Sequence, residues 1–95
     1  MTKKASNYLL SIDVEQDYDV DKLKKKLDTA RDWLRIVPGT YFIHSIKNHD
    51  EWYEYLKKAL PNTRFFLTKI DISKGEYVGW LAKDKWTWIK EQKSK

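Results

Sequence analysis

The chain has no cysteine, two prolines, three glycines and no apolar run near the ~20 residues that a membrane span needs. Without cysteine there is no disulfide framework and no thiolate chemistry. The glycines, Gly39, Gly75 and Gly79, are isolated, so no glycine-rich loop can cradle a phosphate. Two histidines and no cysteine provide no His/Cys metal-ligand spacing. The opening "MTKKASN" lacks the apolar core of a signal peptide. A cytoplasmic location with no membrane partner is therefore expected.

Large rings and positive charge are plentiful. Five Trp, six Tyr and three Phe stand among 95 residues. Rings bury much area each, so they suit the core of one small domain, with some left for an interface. Lys and Arg total 19 against 14 Asp and Glu, a net charge of +5. That balance favours an anionic partner such as nucleic acid, or a lysine-rich soluble surface.

The hydrophobic period switches along the chain. Tyr8, Leu10, Ile12 and Val14 alternate, which predicts a strand over 7–14. Val20, Leu23, Leu27, Ala30 and Leu34 recur every three or four residues, a helix over 20–33 capped by Asp19. "LRIV" and "TYFIHS" read as strands 34–37 and 40–46, hinged at Pro38-Gly39. Asn48 and Glu51 resemble a capping box that opens a helix over 49–60, with Trp52, Tyr55, Leu56, Ala59 and Leu60 as its buried stripe. "RFFLTKIDI" predicts a strand over 64–72, "SKGE" a turn, and "YVGWL" an extra edge strand over 77–81. A short helix capped by Asp84 and a basic tail follow. The order predicts a single domain, residues 1–95, with a ferredoxin-like βαββαβ α+β sandwich. Both central helices would cover one face of an antiparallel sheet. The other face would be solvated or covered by a partner.

Asp13 ends the first strand, with Glu15, Asp17 and Asp19 close behind. By itself Asp13 reads as a turn cap, and the other three as solvated turn residues that repel phosphate. His44 is a candidate general acid or base by residue type, but Ser45 points to the opposite sheet face, so the two make no Ser-His pair. Basic residues cluster at Lys22–Lys26, at Lys57-Lys58 and in the tail, which holds Lys83 and Lys85. Arg31, Arg35 and Arg64 are the arginines and rank above the lysines, because guanidinium makes bidentate phosphate contacts. Trp80, Trp86 and Trp88 read as interface residues, for a protein partner at the C-terminus or for stacking on unpaired bases.

In joint order, four pieces resemble a known family. "YLLSIDV" matches its "YLISYDL" first strand, "PGTYFIHS" its "ESTWIVKS" strand and "NTRFFLTKIDI" its "NDKLLVVEI" strand, and "GWLAKDKWTWIKE" matches its tail. The chain resembles the small CRISPR-associated Cas2 proteins and, more closely, the Cas2-like (SinR-like) proteins. The resemblance implies a homodimer whose two Asp13 side chains share a divalent metal, Mg²⁺ or Mn²⁺. It implies a DNA- or RNA-binding protein, either a metal-dependent endonuclease with Asp13 as catalytic residue or a scaffold without catalysis. The segment "EQDYDVD" departs from the family, which commonly has basic residues there. Two further readings stand beside it: a protein-interaction module or regulator of a defence system or mobile element, and a toxin-type endoribonuclease.

Overall fold

A computed structural model describes residues 4–73, 75 and 77–93. Residues 1–3, Lys74 and Glu76 of the expected turn, and Ser94 and Lys95 of the tail lie outside the described residues. Strand β1 spans Ser6–Ile12, α1 Val20–Leu27, β2 Asp32–Val37, β3 Thr40–Ser45, α2 His49–Ala59, β4 Phe65–Ile70 and α3 Lys83–Lys93. The strands form one antiparallel sheet in the order β2-β3-β1-β4. The result is an α+β fold. No helix among the described residues is long and apolar enough to cross a membrane.

Alternation along β1 buries Tyr8, Leu10 and Ile12 on one face. Leu23 and Leu27 of α1 and Trp52, Leu56 and Ala59 of α2 close over them, with Tyr41 and Ile43 of β3. Both central helices thus lie on one side of the sheet. Strand β1 stops at Ile12, because the chain there leaves the sheet. Val14, expected inside, is exposed.

Helix α1 is shorter than its period predicts. Asp19 caps it, accepting from Lys22 N at 3.1 Å. It ends at Leu27, and Asp28 to Ala30 close as turns, with Ala30 N donating to Leu27 O at 2.9 Å. Asp32 and Trp33 instead pair with His44 and Ile43. The full length of β3 can be hydrogen-bonded only if β2 begins at Asp32, and neither Thr29 nor Trp33 favours a longer helix. The β2–β3 hairpin turns at Pro38-Gly39. Gly39 has φ of +82°, and a Cβ there would stand 2.9 Å from Ile12 O. Both the conformation and the close approach require glycine.

The Asn48–Glu51 capping box forms. Asn48 Oδ1 accepts from Glu51 N at 2.8 Å, and Glu51 Oε1 accepts from Asn48 N at 3.3 Å. Of the predicted stripe, Trp52, Leu56, Ala59 and Leu60 are buried and Tyr55 is half-buried. Lys26 sits 4.2 Å from the centre of the Tyr55 ring, and Lys47 5.3 Å from it. Part of the lysine surplus therefore packs on rings rather than facing solvent alone.

Two expectations about the C-terminal quarter fail. The edge strand over 77–81 is not formed among the described residues. Val78 and Trp80 are 100% and 99% exposed. The second sheet face is covered in part by this chain's own α3. Trp88 stacks on Phe42, and Gln92 Nε2 donates to Asp32 Oδ2 at 3.0 Å. Phe42 and Asp32 belong to the β2–β3 side of the sheet, whereas β4 lies at the opposite edge. The link from β4 must cross the sheet to seat α3, so it cannot fold back along β4 as a hairpin.

Candidate nucleic-acid interface

The acidic loop after β1 holds the start of β4. Asp13 N donates to Arg64 O at 2.9 Å, and Arg64 N donates to Gln16 Oε1 at 2.9 Å. Thr63 Oγ1 donates to Asp17 O at 3.2 Å. Arg64 is therefore fixed through both of its backbone polar groups while its side chain stays exposed. That arrangement presents a guanidinium from a rigid base, which lowers the ordering cost of an ionic contact.

Beside Arg64 runs an open groove of about 350 Å³ between α2 and β4. Gln16, Tyr53, Lys57, Asn62, Thr63, Arg64 and Phe65 line it, with Pro61. Lys57 and Arg64 supply two cations, and no lining residue is a carboxylate. Tyr53 is half exposed, its ring centre 5.9 Å from that of Phe65. The helix places Tyr53 and Lys57 one turn apart on the face turned away from buried Trp52 and Leu56. Such a surface attracts an anion and offers a ring edge or face beside it.

The remaining cations named from the sequence do not join this groove. Arg35 lies on β2, three strand spacings from β4, roughly 14 Å at about 4.8 Å per strand. Arg31 sits in the turn before β2, its N donating to His44 O at 2.9 Å. Lys83 and Lys85 open α3, and Lys85 Nζ lies 3.6 Å from Asp84. Of Arg31, Arg35, Arg64, Lys83 and Lys85, Arg64 is the one that lines the groove, where it joins Lys57. Lys57 belonged to a basic pair, but Gln16 and Tyr53 carried no signal beyond their type. The i, i+4 spacing of Tyr53 and Lys57 was visible; their approach to Arg64 depends on how α2 crosses β4.

Asp13 is a turn residue within one chain. Its Oδ1 accepts from Glu15 N at 3.0 Å, and Gln16 N donates to its carbonyl at 3.3 Å. Among the described residues no three His, Cys, Asp or Glu side chains converge as metal ligands. A single chain accordingly offers one half-engaged carboxylate, too little for a hard cation that wants several oxygens. His44 is buried, with Nδ1 3.0 Å from Asn7 Oδ1. The imidazole lies under α3, away from the Arg64 groove. Of the three tryptophans, Trp86 stacks on Tyr77 at 6.2 Å, Trp88 stacks on Phe42 at 6.1 Å, and Trp80 projects freely.

Compared with known proteins, the chain matches no family model, no curated protein and no solved structure at a significant level.

Proposed function

We propose that the protein is a nucleic-acid-binding homodimer of the Cas2-like kind, built on a ferredoxin-like fold. The order β1-α1-β2-β3-α2-β4 and the sheet order β2-β3-β1-β4 support the fold reading. The resemblance in motif order supports the family reading, and the net charge of +5 agrees with an anionic partner. The observation that carries the binding reading is the groove in which Lys57 and Arg64 stand together without a carboxylate. A guanidinium and an ammonium lining one groove suit a phosphodiester backbone, read by charge and not by base sequence.

Self-association draws support from the free side of β4 and from the exposed Phe66, Val78 and Trp80. Those same residues favour the second reading, a docking surface for another protein. Sedimentation of wild type and Trp80→Ala separates the two: a dimer that the substitution weakens supports self-association, and a monomer in both leaves only a foreign partner.

Metal-dependent cleavage would require a second Asp13 from a partner copy, because one carboxylate supplies too few oxygens for a hard cation. Incubation with DNA and RNA in Mg²⁺ or Mn²⁺, with Asp13→Ala as control, tests that part. Equal activity in both proteins removes Asp13 from any cleavage. For binding, a gel-shift at low salt with wild type and the Lys57→Ala/Arg64→Ala double variant is decisive. Retarded complexes with wild type alone support the groove; no complex with wild type removes the nucleic-acid reading.

A further inference from the structure

The second face of the sheet is covered unevenly. Cross-strand partners share a face, so the register sorts its side chains into rows. One row runs Asp32, His44, Asn7 and Ile70, and the next Leu34, Phe42, Leu9 and Thr68. Helix α3 seats on the β2–β3 end of these two, through Gln92 on Asp32 and Trp88 on Phe42. The third row, Thr40, Ser11 and Phe66, lies beyond both contacts. Phe66 is 66% exposed there, Ser11 beside it is exposed, and Thr40 is half-buried. This ring is not core, which lies on the α1–α2 side of the sheet.

We propose that this open corner of the second face meets a single nucleic-acid strand, with an unpaired base stacked on Phe66 and the adjoining phosphate at Arg64. The proposal rests on the nucleic-acid reading above and adds the strand class and the face that meets the base. Arg64 lines the α2–β4 groove, and its bond from Asp13 N carries the β1–β4 pairing one step beyond the strands. It precedes Phe66 by two residues, roughly 7 Å along an extended chain. One strand can therefore meet the cation and the ring in succession. The β1 and β4 residues of this face, Asn7, Leu9, Ser11, Phe66, Thr68 and Ile70, include no carboxylate to repel it. The next acid along the chain, Asp13, lies past β1, and its Oδ1 accepts from Glu15 N. A base inside a duplex is already stacked, and freeing it costs energy before a protein ring can cover it. An unpaired base offers its π-face at once, and a sheet with helices behind it can present rings to such bases. Ser11, opposite Phe66 in the register, sets a hydroxyl donor and acceptor beside the ring. A single ring bordered by hydroxyls is small for a protein seam, whose core is mostly apolar.

The test is fluorescence anisotropy at low salt with a fluorescein-labelled mixed-sequence single strand, as DNA and as RNA, and with the same strand annealed to its complement. Wild type should bind at least one of the single strands about tenfold more tightly than the matching duplex. Phe66→Ala should lower single-strand affinity about fivefold and leave duplex affinity and sedimentation unchanged, while Phe66→Tyr retains the affinity. Phe66 is on the surface, and far-UV circular dichroism checks that the variants fold. Duplex bound as tightly as single strand, or single-strand affinity unmoved in Phe66→Ala, overturns the inference but keeps the nucleic-acid reading. A Phe66→Ala protein that sediments as a smaller species than wild type assigns the ring to self-association and overturns the inference in the same way. Poly-glutamate bound as tightly as either strand makes the protein a general anion binder and overturns both. Absence of binding to every strand form does the same.

Discussion

The Trp88 indole lies on the Phe42 ring with 9° between their planes and 6.1 Å between their centres. This pair, with the Gln92–Asp32 bond, seats α3 on the second face of the sheet. Trp88→Ala should cost about 2 kcal/mol, less than a fully buried ring, because both rings are half-buried. Trp88 Nε1 is buried with no hydrogen-bond partner among the described residues. Trp88→Phe, which keeps the stack and removes that N–H, should therefore cost less than Trp88→Ala. Urea unfolding of the three proteins gives the order, and a Phe variant as unstable as the Ala variant counts against the stack.

Gln16 acts on Arg64 through the backbone. Gln16→Ala removes the acceptor for Arg64 N and leaves every charge in place. It should cost about 1 kcal/mol of stability and weaken nucleic-acid binding by a smaller factor than Arg64→Ala. Parallel unfolding and anisotropy measurements check both halves. Unchanged affinity would mean that the clamp does not position the guanidinium.

The capping box at the start of α2 is a local stability device. Asn48→Ala removes the acceptor for Glu51 N and should cost about 1 kcal/mol. Because α2 carries Tyr53 and Lys57 well beyond its first turn, binding at low salt should not change. Thermal unfolding and anisotropy report the two outcomes separately.

Tyr41 is buried at the centre of the core. Burial, with the Tyr18 hydroxyl bonded beside it, pushes its phenol from 10.0 up to about 12. The protonated form is favoured in the folded chain, so its contribution is complete below pH 10 and is lost as pH rises toward about 12. Tyr8, also raised by burial, acts in the same direction. Across that window stability should fall, and Tyr41→Phe should flatten the decline. Unfolding free energies of both proteins measured over the same pH range decide it, and parallel profiles would exclude Tyr41 as a source.

Most of the fold was legible where one side of an element is buried. Tyr8, Leu10 and Ile12 declared β1 by alternation, and Trp52, Leu56 and Ala59 declared α2 by their period. The end of α1 was not legible, because Ala30 and Leu34 continue a helical period that the pairing of β2 with β3 overrides. Nor was the absence of a strand over 77–81: "YVGWL" has strand composition, but the route to α3 depends on the docking of Trp88 and Gln92. At the site, Arg64 stood out as an arginine, and Asp13 as a carboxylate ending a strand. Their relation was hidden, because it runs through backbone bonds from the acidic loop. Residues 13–17, which read as a turn opposed to phosphate, hold the cation expected to bind it.

The most direct test of the groove is the salt dependence of single-strand affinity in wild type and in the Lys57→Ala/Arg64→Ala double variant. Plotted as log K against log salt, each phosphate neutralised contributes a slope of about −0.7. The double variant should bind more weakly at low salt, and its slope should be shallower by about 1.4. Equal affinities and equal slopes in the two proteins would contradict the assignment of phosphate to Lys57 and Arg64.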